Sequence, residues 1–243
     1  ISGASTNTKY TNSGFTVSAS DATSGIKTFW YAEPGDAYFK AASSTSVTIP
    51  AGSKKGYYHF FAVDNAGNES AVHYVYYDNT KPTGDIKNTS GTVLTGSYTT
   101  NSFKYSSTDA DSGVSYMQYK TPSSGSWSTY SGSTIYSSYT DGYYQFRTVD
   151  RAGNVSATKG ITLDATAPTG TMYGGTTVVS NGGSIIADYI KYVPTDATSG
   201  VNYSYVKKPG ASSYSSYTSG TQLTAKGAYS FFSVDNAGNT SQT

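Results

Sequence analysis

One pair of motifs occurs three times in this chain. Asp-x-x-Ser-Gly-(Ile/Val) stands at Asp21–Ile26, Asp109–Val114 and Asp196–Val201, and Asp-x-Ala-Gly-Asn follows at Asp64–Asn68, Asp150–Asn154 and Asp235–Asn239. The leading aspartates are 88 and 87 residues apart. That period is too long for a solenoid or propeller repeat and equals one small domain, so the chain reads as three homologous domains in tandem. The domains fall at residues 1–79, 80–165 and 166–243, the first trimmed at its start and the third short of its last strand. The absence of an initiator Met and of a leader reads as an excised piece of a longer protein.

Composition favours sheet throughout. Twenty-five Tyr and 26 Gly stand among abundant Ser and Thr, whereas Glu33 and Glu69 are the only glutamates. Tyr and Thr suit the pleated sheet, Gly, Asn and Asp suit turns, and the strong helix formers are scarce. A net charge of +1 with 13% charged residues leaves no electrostatic footprint for nucleic acid or an anionic membrane. No apolar run is long enough to span a bilayer as a helix. Without Cys there are no disulfides or thiolate metal sites, so each domain rests on its core alone.

The middle domain predicts seven short strands. They are Gly84–Thr89, Ser102–Ser107, Val114–Lys120, two within Ser126–Tyr139, Gly142–Val149 and a last one near Ser156–Leu163. Such a series reads as a Greek-key sandwich, making the chain all-β. In the sixth strand Tyr58, Phe60 and Ala62 align with Tyr144, Phe146 and Thr148 and with Tyr229, Phe231 and Ser233. Period two places this row in the core and the variable row, including Phe61, Arg147 and Phe232, in solvent. Each inward Tyr hydroxyl then needs a partner, such as a backbone carbonyl at a sheet corner. Trp30, on the third strand, is expected to be a core aromatic. The linkers Asp78–Gly84 and Asp164–Gly170 each contain a Pro, so the joints should be short and stiff.

Taken together, Asp-x-x-Ser-Gly-Ile, Tyr-x-Phe-x-Ala-x-Asp-Asn-Ala-Gly-Asn-x-Ser and Asp-x-Thr-x-Pro resemble the bacterial immunoglobulin-like (Ig-like) repeats of large Gram-positive surface proteins. The resemblance covers all three domains. It implies an extracellular, cell-surface array of three tandem Ig-like Greek-key β-sandwich domains. The same module serves adhesins, wall-anchored enzymes and stalks, so fold alone does not select among them.

Two sets of residues are candidate sites. In an Ig-like sandwich the loop after the second strand, the loop before the last strand and the incoming linker share one pole. Asp78 should therefore meet Asp109, Asp111 and Asp150, and Asp164 should meet Asp196 and Asp235. Several carboxylates at one pole suit Ca2+ between domains. Ordinary turn chemistry accounts for the motif aspartates equally well, and the sequence leaves both readings open. The second set is Tyr130, Tyr136, Tyr139, Tyr203, Tyr205, Tyr214 and Tyr217, in Tyr/Ser-rich stretches whose composition resembles a recognition surface. Tyr57, Tyr74, Tyr76, Tyr77 and Tyr143 extend it. Cross-strand packing is the alternative role for any one of them.

His59 and His73 are the only histidines and neither recurs in the other domains, so nothing repeated points to catalysis. Trp30 and Trp127 occupy different repeat positions, which argues against a repeated sugar-stacking platform. The functional expectation is a non-enzymatic surface protein that binds a host macromolecule, a glycoprotein such as an immunoglobulin, through exposed Tyr/Ser-rich surfaces. The alternatives are a passive spacer stalk and an accessory module of a wall-bound glycan-active enzyme.

Overall fold

The computed structural model describes residues 10–241, and every regular element among them is a β-strand. The first domain comprises β1 (Tyr10–Thr11), β2 (Phe15–Ser18), β3 (Ile26–Ala32), β4 (Lys40–Ala41), β5 (Ser46–Ile49), β6 (Gly56–Asp64) and β7 (His73–Tyr77). A five-stranded sheet in the order β1-β7-β6-β3-β4 faces the β2-β5 pair. The second domain repeats this with β8 (Thr83–Asn88), β9 (Tyr98–Thr99), β10 (Phe103–Thr108), β11 (Val114–Lys120), β12 (Ser128–Tyr130), β13 (Gly142–Asp150) and β14 (Lys159–Leu163). Its sheets run β12-β11-β13-β14-β9 and β10-β8. The third domain has β15 (Thr169–Gly174), β16 (Thr177–Val179), β17 (Ile190–Thr195), β18 (Val201–Lys207), β19 (Ser215–Tyr217) and β20 (Ser230–Asp235), in sheets β16-β15-β17 and β19-β18-β20. The fold is three tandem Ig-like β-sandwiches.

Two details of the middle domain differ from the sequence expectation. Ser126–Tyr139 holds one strand, β12, plus a single antiparallel bridge from Ile135 to Phe103. The unexpected strand β9 spans two residues, too few to show a period. It forms because the chain leaves β8 on one sheet and crosses to run parallel to β14 on the other.

The core row reads as expected in the first two domains. Tyr58, Phe60 and Ala62 are buried, as are Tyr144, Phe146 and Thr148, and Phe231 and Ser233 follow in the third. Each leading Tyr hydroxyl donates to a carbonyl four residues back: Tyr58 to Lys54 O at 2.8 Å, Tyr144 to Thr140 O at 2.9 Å and Tyr229 to Ala225 O at 2.8 Å. These bonds let an aromatic ring fill the core without stranding its polar tip. Above the row, Val75 and Tyr77 close the first core and Ile161 and Leu163 the second. The third core is smaller, with Tyr192, Val206, Tyr217 and Phe231 buried and Tyr229 only half-buried.

Trp30 is not a core residue. A register shift between Ile26 and Thr28 interrupts the pairing of β3 with β6, so Phe29 turns inward and Trp30 outward, opposite Phe61. The same shift recurs in β11 and β18. A bulge adds a residue to one strand and reverses facing beyond it, which a simple alternation along β3 does not anticipate.

Candidate functional site

The motif aspartates first of all build turns. Asp21 Oδ1 accepts from the amides of Thr23, Ser24 and Gly25 at 3.0, 2.7 and 2.9 Å. Asp196 does the same with Thr198, Ser199 and Gly200, and Asp109 with Asp111 and Gly113. The closing glycines, Gly25, Gly113 and Gly200, have φ of +75°, +80° and +79°, a region that side chains resist. The Ser24, Gly25 and Thr23 amides hold the Asp21 carboxyl below its ordinary pKa. In the second motif Asp64, Asp150 and Asp235 each accept from the backbone amide and the side-chain Nδ2 of the Asn four residues on, all at 2.8 Å. That Asn side chain, followed by its own amide, holds Asp64 low as well.

At the two joints a third carboxylate arrives. Asp78 accepts from Thr80 N on Oδ1 at 2.8 Å and from Ser112 N of the next domain on Oδ2 at 3.0 Å. Asp164 repeats this with Thr166 N at 3.2 Å and Ser199 N at 3.0 Å. As the shared pole requires, one oxygen each from Asp78, Asp109 and Asp150 lie within 4.8 Å of one another, and so do those from Asp164, Asp196 and Asp235. The linker aspartates and the second-motif aspartates are buried, at 0% and 2% exposure in the first group and 0% and 1% in the second. At the first domain's own pole Asp21 and Asp64 build the same turns, but the incoming residues 1–9 lie outside the described residues.

These carboxylates lack a directly paired cation, although Lys55 lies near enough to Asp78 to interact with it electrostatically. No Lys or Arg among the described residues ion-pairs with any of the six. Two unit charges 4.8 Å apart repel by roughly 3 kcal/mol at an effective dielectric of 20. Burial, followed by the neighbouring charges of Asp196 and Asp235, pushes the Asp164 pKa up against the opposing Ser199 and Thr166 hydrogen bonds. At the first joint the Ser112 hydroxyl is buried with no hydrogen-bond partner. Buried charge of one sign, with spare oxygens close by, is the donor set of a hard cation such as Ca2+. The residues fit that ion.

Asp111 stands apart from the cluster. Its carboxylate is taken by Lys55 across the joint, at 2.7 Å from Nζ, and this pairing lowers the Asp111 pKa and raises that of Lys55. The second joint has no such pair. There Asp141 accepts from Ala165 N at 3.0 Å and from the Thr166 hydroxyl, an arrangement the repeats do not announce.

The candidate tyrosines divide. Tyr130 and Tyr217 are core residues, correcting their assignment to an exposed surface. The Tyr130 hydroxyl accepts from Tyr105 N at 3.1 Å and donates to Ser133 O, and Tyr217 accepts from Tyr192 N at 2.9 Å and donates to Thr221 O at 2.7 Å. Tyr77 is buried too, its hydroxyl accepting from Gly52 N at 2.7 Å. Tyr136, Tyr139, Tyr203 and Tyr214 are exposed and Tyr205 is half-buried. Tyr136 and Tyr139 pack edge-on with centroids 5.6 Å apart.

A surface feature missed in the sequence lies on the outer face of each five-stranded sheet and its counterpart in the third domain. Trp30 stacks on Phe61 across β3 and β6 at 6.1 Å, with Phe39 edge-on to Phe61 at 4.8 Å. The equivalent cross-strand pair in the third domain is Tyr205 on Phe232 at 4.9 Å, with Tyr214 edge-on at 4.9 Å. In the second domain Arg147 sits 4.2 Å over the Trp127 ring and hydrogen-bonds Gln118 at 2.8 Å. Phe39, Trp127 and Tyr214 are 88 and 87 residues apart, the same intervals as the leading aspartates. That signal was available: Trp30 and Trp127 do hold different repeat positions, but the Trp127 position is aromatic in all three domains, whereas the Trp30 position holds Gln118 in the second.

No family model matches this chain, and no curated protein matches it. Among solved structures, it is similar to the fibronectin(III)-like modules of Clostridium thermocellum CbhA, at 14% identity and a TM-score of 0.34, covering 63% of this chain and 85% of that one. It is also similar to the Bacteroides ovatus mixed-linkage glucan utilization locus protein SGBP-B, solved with a mixed-linkage heptasaccharide, at 12% identity and a TM-score of 0.21, covering 96% and 70%. Likenesses of this size bear on neither ligand nor activity.

Proposed function

We propose that this chain is a non-enzymatic, extracellular recognition array that binds a host macromolecule, a glycoprotein, through aromatic groups displayed once per domain. The observation that carries this reading is the recurrence of a solvent-side aromatic at Phe39, Trp127 and Tyr214, each against the same cross-strand site. Aromatic rings offer large amphipathic contact area at small entropic cost. Three modest contacts in tandem bind strongly because the first engagement raises the effective concentration for the rest. Calcium held by the joint carboxylates would fix the spacing between faces.

The joints by themselves support a second reading, a spacer that projects another domain. Retention of plasma and mucosal glycoproteins on the immobilised chain, compared with the triple variant Phe39→Ser, Trp127→Ser, Tyr214→Ser, separates the two. The recognition reading expects one dominant partner held by the parent chain and lost by the folded variant. An empty eluate, or equal retention by both, contradicts it and leaves the spacer.

A further inference from the structure

The outer sheet face of the second domain is charged where the other two domains are aromatic. Trp30 stands opposite Phe61 and Tyr205 opposite Phe232, but the corresponding pair in the middle domain is Gln118 opposite Arg147. Trp127 sits beside that pair and gathers two cations. Arg147 Cζ lies 4.2 Å and Lys120 Nζ 5.0 Å from its ring centroid. Neither cation forms an ion pair among the described residues. Two like charges held at one ring repel each other, and an anion between them removes that cost.

The guanidinium is set to receive one. Arg147 Nε donates to Gln118 Oε1 at 2.8 Å, which fixes its plane, and its Nη groups enter no hydrogen bond among the described residues. Two Nη donors in a fixed plane match two oxygens of a carboxylate or a sulfate ester. Along β13 the same face continues through Gln145 to Tyr143. Tyr143 is 52% exposed and leans over Gly160 of β14, where any side chain would collide with its hydroxyl. Two aromatic rings therefore bracket a strip of amide and cationic side chains. Such rings cover the apolar C–H face of a sugar, and the amide takes its hydroxyls. An acidic peptide adding itself as a strand would need an open edge, and β13 is paired on both sides, with β11 and β14.

We infer that this face binds an acidic saccharide, with its carboxylate or sulfate on Arg147 and Lys120 and a sugar ring on Trp127. The inference rests on the recognition reading above and assigns the acidic part of the glycoprotein's glycans to the middle domain.

The test is NMR titration of the intact chain with sialyllactose, sulfated lactose, lactose, inorganic sulfate and an oligoglutamate peptide, read at the Trp127 indole N–H and Arg147 Nε–H. At least one acidic saccharide should bind about tenfold more tightly than lactose or inorganic sulfate, and which one does names the anion. Arg147→Gln and Lys120→Gln should each remove that advantage while leaving the resonances of the core residues Phe103 and Phe146 in place. Acidic saccharides no tighter than lactose, or undiminished by both substitutions, overturn the inference. Inorganic sulfate binding as tightly shows an adventitious ion only, and tighter binding of oligoglutamate shows an acidic protein partner; either result overturns it. The titration decides this inference whether or not the immobilised chain retains a glycoprotein, so it and the recognition reading fail separately.

Discussion

Asn154 donates from Nδ2 to the carbonyl oxygen of Asp78 at 2.8 Å, and Asn239 repeats the bond with Asp164 at 2.9 Å. Each bond crosses from the body of one domain to the linker that enters it. The same Nδ2 groups also reach Asp150 and Asp235, so one side chain closes a turn and clamps a joint. The Asp-x-Ala-Gly-Asn motif is therefore a docking element for the preceding linker as well as a turn.

Asn154→Ala should destabilise the second domain by about 1–3 kcal/mol, because it strands the buried Asp150 and the Asp78 carbonyl together. Asn68→Ala should cost less, since Asp64 lies at an exposed turn. Denaturant unfolding of the two variants checks the difference. Small-angle scattering should show a wider spread of interdomain geometry in Asn154→Ala alone.

Core and surface tyrosines should behave oppositely. Tyr130→Phe removes a hydroxyl bonded to Tyr105 N and Ser133 O and should cost about 1–2 kcal/mol of stability without changing partner retention. Tyr214→Ser, at an exposed ring, should leave the melting temperature within a few degrees and weaken retention.

Alkaline titration reports the same division. Burial raises the pKa of Tyr58, Tyr130, Tyr144 and Tyr217 above the ordinary 10.0. A raised native pKa means the folded state keeps its proton longer than the unfolded chain. The contribution to stability is then full below pH 10 and is lost as pH rises through the native values. Tyrosinate absorbance should show these four ionising at higher pH in the folded protein than in the denaturant-unfolded chain. Simple ionisation of all 25 in one folded-state step would contradict the burial.

The third domain should be the weakest. Among the described residues its core has four buried side chains where the others have nine each. Amide exchange at Val206 and Phe231 should be faster than at Phe60 and Phe146. Comparable protection in all three domains would count against the smaller core.

Much of this was legible in the sequence, and the exceptions have physical causes. The Tyr-x-Phe row could be read because β6 and β13 are nine residues long and alternate cleanly. Tyr130 and Tyr217 could not, because β12 and β19 are three residues long and show no period. Trp30 was misplaced because a core aromatic was expected on the third strand, and past the bulge it is Phe29 that turns inward. The joint clusters followed from topology, since the linker enters at the pole where both turns lie. Asp111 departed from them because Lys55, 56 residues earlier, reaches across the joint. The aromatic group was hidden by chemistry, as one repeat position holds Phe, Trp and Tyr in turn.

The joint clusters set the spacing between domains in both functional readings, so calorimetric titration of the chelator-treated chain with Ca2+ is the most direct measurement of that shared element. The account predicts that both described joints bind the ion, that Asp78→Asn loses one of these two sites, and that the Asp78→Asn, Asp164→Asn double variant loses both. Absence of binding by the parent chain, or undiminished binding by the double variant, would contradict it.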